Sequence, residues 1–166
     1  YQAVVEGRNE MFRTQGLTAD THFIASTGIG GDCENSEASV GIDFFSVGGN
    51  APLQVKYLHA LDYLNPTHQY GVAFERGTSF MAGGKQRILI SGTASINKKG
   101  HCIYEGDVQK QTERLLLNIE KLLEDAGSAL NEMNFLVVYL RDVSDYDLVR
   151  AYLEKRFPQL PILITY

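Results

Sequence analysis

No run of 18 or more apolar residues occurs in this chain. A membrane-spanning helix needs about 20, so no membrane partner is expected. Cysteine is nearly absent. The two present, Cys33 and Cys102, lie far apart without C-x-x-C spacing, and read as reduced thiols of a cytoplasmic protein, not as a disulfide framework or a zinc site. Positive charge is sparse and scattered. Fifteen Lys and Arg against 20 Asp and Glu give a net charge of −5, and no basic cluster is denser than Lys98-Lys99 or Lys155-Arg156. A surface that tracks phosphates needs a basic stripe to displace counterions, so nucleic acid is not an expected partner. The first residues lack the charged, apolar and small-residue zones of a signal peptide. The chain opens on Tyr1, not Met, which points to a removed upstream region.

Motifs for metal or nucleotide chemistry are missing as well. Residues 25–31 are glycine-rich and contain Gly28-x-Gly30. They lack the Lys-Ser/Thr end of a P-loop and the third spaced glycine of a dinucleotide fingerprint, and no helix is expected directly after them. No HExxH, no clustered ligand spacing and no Ser/His/Asp order is present, so neither a metal, a cofactor nor a triad is expected, and no catalytic residue is assigned.

What is there is an ordinary globular composition, 44% hydrophobic and 21% charged over 166 residues. That length holds one domain, or one domain and part of another. Residues 2–14 read as a helix with Val5, Met11 and Phe12 on one face, ended by Gly16. Residues 22–29 and the alternating Ala38, Val40, Ile42 and Phe44 read as strands, the second half-buried, with a polar loop at 30–37. Residues 49–69 are irregular and are expected to connect two units, with an edge strand near 53–58.

The rest is more regular. Strands are expected at 72–82 and 87–96 around a Gly83-Gly84-Lys85 turn, and a short one at 101–104 completes a meander. Asp107 is placed to cap a long helix. Its apolar stripe runs through Val108, Thr112, Leu115, Ile119, Leu122 and Ala126, widened by Leu116 and Leu123 and stopped by Gly127. A strand at 135–140 follows. Ser144 with Asp147 then suggests a capping box for a second helix, with Leu148, Val149, Tyr152 and Leu153 inward. A last apolar strand occupies 161–166. The order is β-β-β-α-β-α-β, and residues 1–48 repeat its second half.

Three segments carry a resemblance. They are Arg87-Ile-Leu-Ile-Ser-Gly-Thr-Ala-Ser-Ile96, the pair Gly100-His101, and Glu105-Gly-Asp-Val-Gln-Lys-Gln-Thr112. Together they resemble the Rid/YjgF family, most closely its chorismatase branch. Tyr70-Gly71, Phe74-Glu75-Arg76 and residues 25–29 are similar to that branch too. The resemblance covers 70–166 well and 1–48 loosely. It implies an α+β, chorismate-mutase-like fold in which a mixed β-sheet carries two helices packed on one face. The implied division is 1–48 as the second half of an N-terminal unit, 49–69 as connector, and 70–166 as a C-terminal unit lacking its last strand. Rid proteins are trimers with small-molecule clefts between subunits. Chorismatases join two units in one chain and hydrolyse chorismate, releasing pyruvate. In both, an arginine beyond the last strand seen here helps hold a carboxylate. The chain is therefore expected to be an excised piece of a longer enzyme.

The candidate binding residues are Tyr70, Phe74, Arg76, Ser91, Gly92 and Thr93. The turn Ser91-Gly92-Thr93 offers backbone N–H groups and hydroxyls to a carboxylate or enolate oxygen; Gly92 could equally serve only a bulge or close strand approach. Arg76, two residues after Phe74 and on the same strand face, can hold a carboxylate in a fork beside an aromatic ring. The alternative is an exposed arginine paired with Glu75 or Asp62. Tyr70 can donate a phenolic hydrogen bond, or serve as a core or rim residue. His101 and Glu105 read as solvated. The expected ligand is a small carboxylate-bearing metabolite. Three functions fit: a chorismatase-type hydrolase, a Rid-type enamine or imine deaminase, and a non-catalytic ligand-binding or assembly module. Open strand edges favour a homo-oligomer, a trimer first and a compact monomer second.

Overall fold

The computed structural model describes residues 2–31, 35–49 and 53–166, with only the backbone of Tyr70. The chain opens with α1 (Gln2–Thr14), of which Phe12 is the buried side chain. Phe12 closes on Phe23 and Ala73, its ring stacked on that of Phe23 with centroids 6.2 Å apart. Met11, expected on the same face, is 58% exposed. Adjacent helical residues point about 100° apart, and a docking face this narrow accepts only one of the two.

Both strands expected between residues 22 and 44 are corrected. The first is reduced to a single parallel bridge, Ala25 to Glu75. Residues 38–44 have no ladder, and Ile42 and Phe44 stand 66% and 86% exposed. Alternation makes a half-buried strand only where a neighbour supplies backbone partners and a covering face. Among the described residues nothing supplies either.

From Val55 onward the order is regular. Strands β1 (Val55–Tyr57), β2 (Gly77–Ala82) and β3 (Lys85–Ile90) form an antiparallel meander in that order. The edge strand is thus β1, and the segment expected as third strand, 101–104, makes only the bridge Ile96 to Cys102. Gly83 and Gly84, at φ 60° and 73°, close the β2–β3 hairpin, a left-handed pair that matches strand twist. Both strands are shorter than expected. Their shared end is diverted at Ser91, whose N–H donates to the Arg76 carbonyl at 3.0 Å.

Helix α2 (Val108–Asp125) is capped as expected: the Asp107 carboxylate accepts from the Lys110 N–H at 3.0 Å. Such a cap contributes about 1 kcal/mol. Its far end turns on Gly127, at φ 75°. Leu122, fully buried with Leu58 and Leu64, packs the helix on Ile88 and Ile90 of the meander. So the stretch read as a connector supplies two core residues. Leu116, six residues earlier on the same helix, joins Val149 and Leu153 over a second sheet.

That sheet is β4 (Leu136–Tyr139) paired in parallel with β5 (Ile162–Thr165). Between them runs α3 (Tyr146–Arg156). Its approach differs from the expected capping box: Asp142, not Asp147, accepts from the Ser144 N–H at 2.8 Å and from its hydroxyl at 2.7 Å. A 3-10 turn at Val143–Asp145 intervenes, so Leu148, expected inward, is rotated out to 50% exposure. The class is α+β. Helices α2 and α3 lie over β4 and β5, and α2 also reaches the meander.

Candidate functional site

The candidate residues gather where β2 begins and β3 ends. Thr67, buried, clamps the approach to β2: its hydroxyl donates to the Phe74 carbonyl at 2.5 Å and accepts from the Phe74 N–H at 3.3 Å. This fixes the chain just ahead of β2, where Glu75 and Arg76 make separate contacts. Arg76 is 5% exposed and donates from Nη2 to the Asn65 carbonyl at 3.1 Å. Its guanidinium carbon lies 5.3 Å from the centre of the Phe74 ring, so the expected pairing of these two side chains is found. The reading of Arg76 as exposed is overturned by its burial against Asn65.

The Glu75 carboxylate accepts from the Phe23 N–H at 2.8 Å, which ties the N-terminal region to the strand. Tyr57, at the end of β1, stacks on His22 with ring centres 4.7 Å apart. Its phenol is pushed above the ordinary range first by burial and then by the negative charge of Glu75. It remains a neutral hydrogen-bonding group at physiological pH.

Ser91 is 5% exposed. Its hydroxyl donates to the Glu75 carbonyl at 2.5 Å and accepts from the Ser26 N–H at 3.0 Å. The Gly92 N–H donates to the Thr27 hydroxyl at 2.8 Å, and Thr93 Oγ1 donates to the Ser91 carbonyl at 3.0 Å. The turn therefore holds the 25–27 segment against the strand end. Gly92 is required by close approach: a Cβ there would stand 2.8 Å from Thr27 Cγ2. Tyr70 closes the 3-10 turn Thr67–Tyr70 ahead of this strand, and its side chain lies outside the described residues, as does Cys33. Cys102 is an exposed free thiol.

Two polar residues that position this end were not singled out from the sequence. Asn65, buried, holds Arg76. Asn118, with no exposure, donates from α2 to the carbonyls of Ala94 and Ile96, both at 3.1 Å, and so pins the chain leaving the Ser91-Gly92-Thr93 turn. A signal for Asn118 existed, since it falls between Leu115 and Ile119 on the apolar stripe. A polar side chain inside such a stripe has a buried partner to find. Away from this end, a cavity of about 180 Å³ lies between α3 and β5, lined by Tyr146, Arg150 and Glu154 among others. Its charged groups already pair, Arg150 Nε with Glu154 at 2.7 Å. Among the described residues no group of three or more His, Cys, Asp or Glu is placed to hold a metal. No helix of the described residues is long and apolar enough to cross a membrane.

Comparison with known proteins places this geometry. The family model for endoribonuclease L-PSP matches residues 73–165, more than half of the chain. A RutC family protein of Pyrococcus abyssi is 37% identical over 59 residues, 36% of this chain and 46% of that protein. The 3-aminoacrylate deaminase RutC of Acinetobacter baylyi is 28% identical over 72 residues, 43% and 57% of the two chains. The chain spans about half the length of the curated relatives it matches. Among solved structures, a chorismatase superposes with a TM-score of 0.72 at 22% identity, over 95% of this chain and 50% of the other. The YjgF gene product of E. coli superposes with a TM-score of 0.52 at 21% identity, over 67% and 85%. The fold is thus shared with a chorismatase and with the YjgF gene product, and the chain belongs to the endoribonuclease L-PSP family, the Rid/YjgF family that its motifs resemble.

Proposed function

We propose that the chain is the small-carboxylate-binding part of a chorismatase-type hydrolase, which in its full-length form releases pyruvate from chorismate. The observation that carries this reading is the extent of the superposition. A single-unit family member accounts for 67% of the chain, whereas the chorismatase accounts for 95%. The additional length corresponds to a real structural commitment, because α1 and the 23–27 segment dock on the strand end that bears the candidate residues. In this reading Arg76 supplies positive charge beneath the site, Phe74 an aromatic wall, and Ser91-Gly92-Thr93 the rigid rim. Tyr70 stands at the entry to the same strand. A positive charge held in place beforehand stabilises developing negative charge best, because it need not reorganise. The test is pyruvate release from chorismate by the full-length protein. Absence of release with folded enzyme overturns it.

A second reading is a Rid-type deaminase of enamine or imine intermediates, favoured by the identity with the 3-aminoacrylate deaminase. Ammonia release from an amino-acid-derived imine, assayed beside pyruvate release, separates the two. Tight carboxylate binding without either product would instead indicate a non-catalytic module.

A further inference from the structure

We propose that Arg8 anchors a carboxylate seat at this strand end, taking a small planar monoanion on the edge formed by its Nε and Nη2. Arg8 lies on α1 and is half-buried. Its guanidinium is held from two sides: the central carbon sits 5.6 Å from the centre of the Phe12 ring, and Nη1 donates to the Ser26 hydroxyl at 3.2 Å. The opposite edge is buried, and neither Nε nor Nη2 has a hydrogen-bond partner.

Unpaired buried donors are rare because each forfeits its hydration, and a charged group forfeits most. The ion pairs among the described residues join Lys56 to Asp125, Lys110 to Asp107, Lys121 to Glu124 and Arg150 to Glu154. None of them neutralises Arg8. The two free N–H groups are parallel, the arrangement that donates to both oxygens of a carboxylate at once. A single fixed cation beside an aromatic ring balances a monoanion better than a phosphate dianion.

The position is tied to the site described above. Ser26, which holds Nη1, donates its own N–H to Ser91, and its neighbour Thr27 accepts from Gly92. The inference rests on the small-carboxylate reading for its ligand class, and it moves the anion's anchor from Arg76, already engaged with Asn65, to the N-terminal helix.

Titration of the isotopically labelled 166-residue chain with pyruvate, followed at the arginine Nε–H and backbone amide signals, tests it. The Arg8 signal is identified as the one missing from Arg8→Lys. Saturable downfield movement of that signal is expected, with affinity for pyruvate about tenfold or more weaker in Arg8→Lys and unchanged in the exposed control Arg13→Lys. Inorganic phosphate is expected to bind more weakly than pyruvate. Equal or tighter phosphate binding overturns the ligand class. Shifts at Ser91 to Thr93 with an unmoved Arg8 signal and unaltered Arg8→Lys affinity overturn the role of Arg8 but leave the small-carboxylate reading intact. No saturable response anywhere in the folded chain overturns both.

Discussion

Among the described residues between 2 and 49 the buried apolar side chains are Phe12 and Phe23, and they close on Ala73 from the other region. Between residues 53 and 166 there are two clusters, one around Leu58, Leu64 and Leu122 and one around Leu116, Val149 and Leu153, both served by α2. The first region also leaves Val40, Ile42, Phe44, Phe45 and Val47 exposed. The difference is one of partners, not of composition. A core forms where one element presents apolar residues to two layers at once, as α2 does, and a region without such an element borrows its order from its neighbour.

The sharpest way to break this comparison is Leu122→Ala. Leu122 is fully buried, and a leucine truncated at such a site costs about 4 kcal/mol when the cavity cannot collapse. A urea midpoint measured by circular dichroism should fall accordingly, and α1 should lose its helicity in the same transition. An α1 that survives the loss of the meander core would mean the N-terminal region stands alone. Phe12→Ala is the reciprocal test. It should cost about 3 kcal/mol, but confined to docking. Amides of residues 2–14 should exchange faster while those of α2 keep their protection. Equal loss of protection in α2 would show the two regions to be one cooperative unit.

The same contrast explains what was legible in the sequence. The cap at Asp107, the stripe of α2, the Gly83-Gly84 hairpin and strands β4 and β5 were all readable, because each is set by local chemistry or by a period within one element. The failures depend on partners the sequence cannot name. Residues 38–44 have strand periodicity without a ladder, and 101–104 lost the third place in the meander to Val55–Tyr57, which lies earlier in the chain. At the site, Phe74 beside Arg76 was expected from an i, i+2 spacing and is found although both precede β2, and the family followed from Ser91 to Ile96 and the start of α2. Asn65 as the holder of Arg76, Ser26 as the partner of Ser91 and the free edge of Arg8 did not. The first two are contacts outside any one element's period and the third is the lack of a partner, and no local pattern encodes them.

The junction of the two regions is itself testable at Gly92. A Cβ at this position meets Thr27 Cγ2 at 2.8 Å, so Gly92→Ala forces the 25–27 segment away from the strand end and should cost about 1–2 kcal/mol, as overpacked contacts do. Thr27→Ser removes that methyl group and keeps the hydroxyl that accepts from the Gly92 N–H. The double variant should therefore recover most of the loss in urea denaturation. If Gly92→Ala is as destabilising in the Thr27→Ser background as in the unaltered chain, the contact that joins the two regions is not this one.

The smallest effect concerns the edge of the better-packed region. Asp125 closes α2 and receives the Lys56 ammonium at 3.0 Å and the His59 N–H at 3.0 Å, so it fastens β1 to the helix. Lys56 also reaches the Asp125 carbonyl. Burial alone would raise the Asp125 carboxyl, but the His59 N–H, the Lys56 hydrogen bond and the Lys56 charge outweigh it and hold the group below the usual carboxylate range. A folded-state value below the unfolded one means that the carboxylate contributes stability above its unfolded value of about 3.9, and that this is lost as pH falls through the lower, folded value. The pair is largely solvated, so Asp125→Asn should cost at most about 1 kcal/mol at neutral pH. Asp107 and Asp142 are also held low, by their hydrogen bonds to Lys110 and Ser144, and they keep an acid slope in both proteins. The quantity to follow is the difference between the two proteins' urea midpoints from pH 7 down to pH 2. It should shrink towards zero at the acid end, and a difference that stays constant over that range would show that the ionised carboxylate is not what fastens β1 to α2.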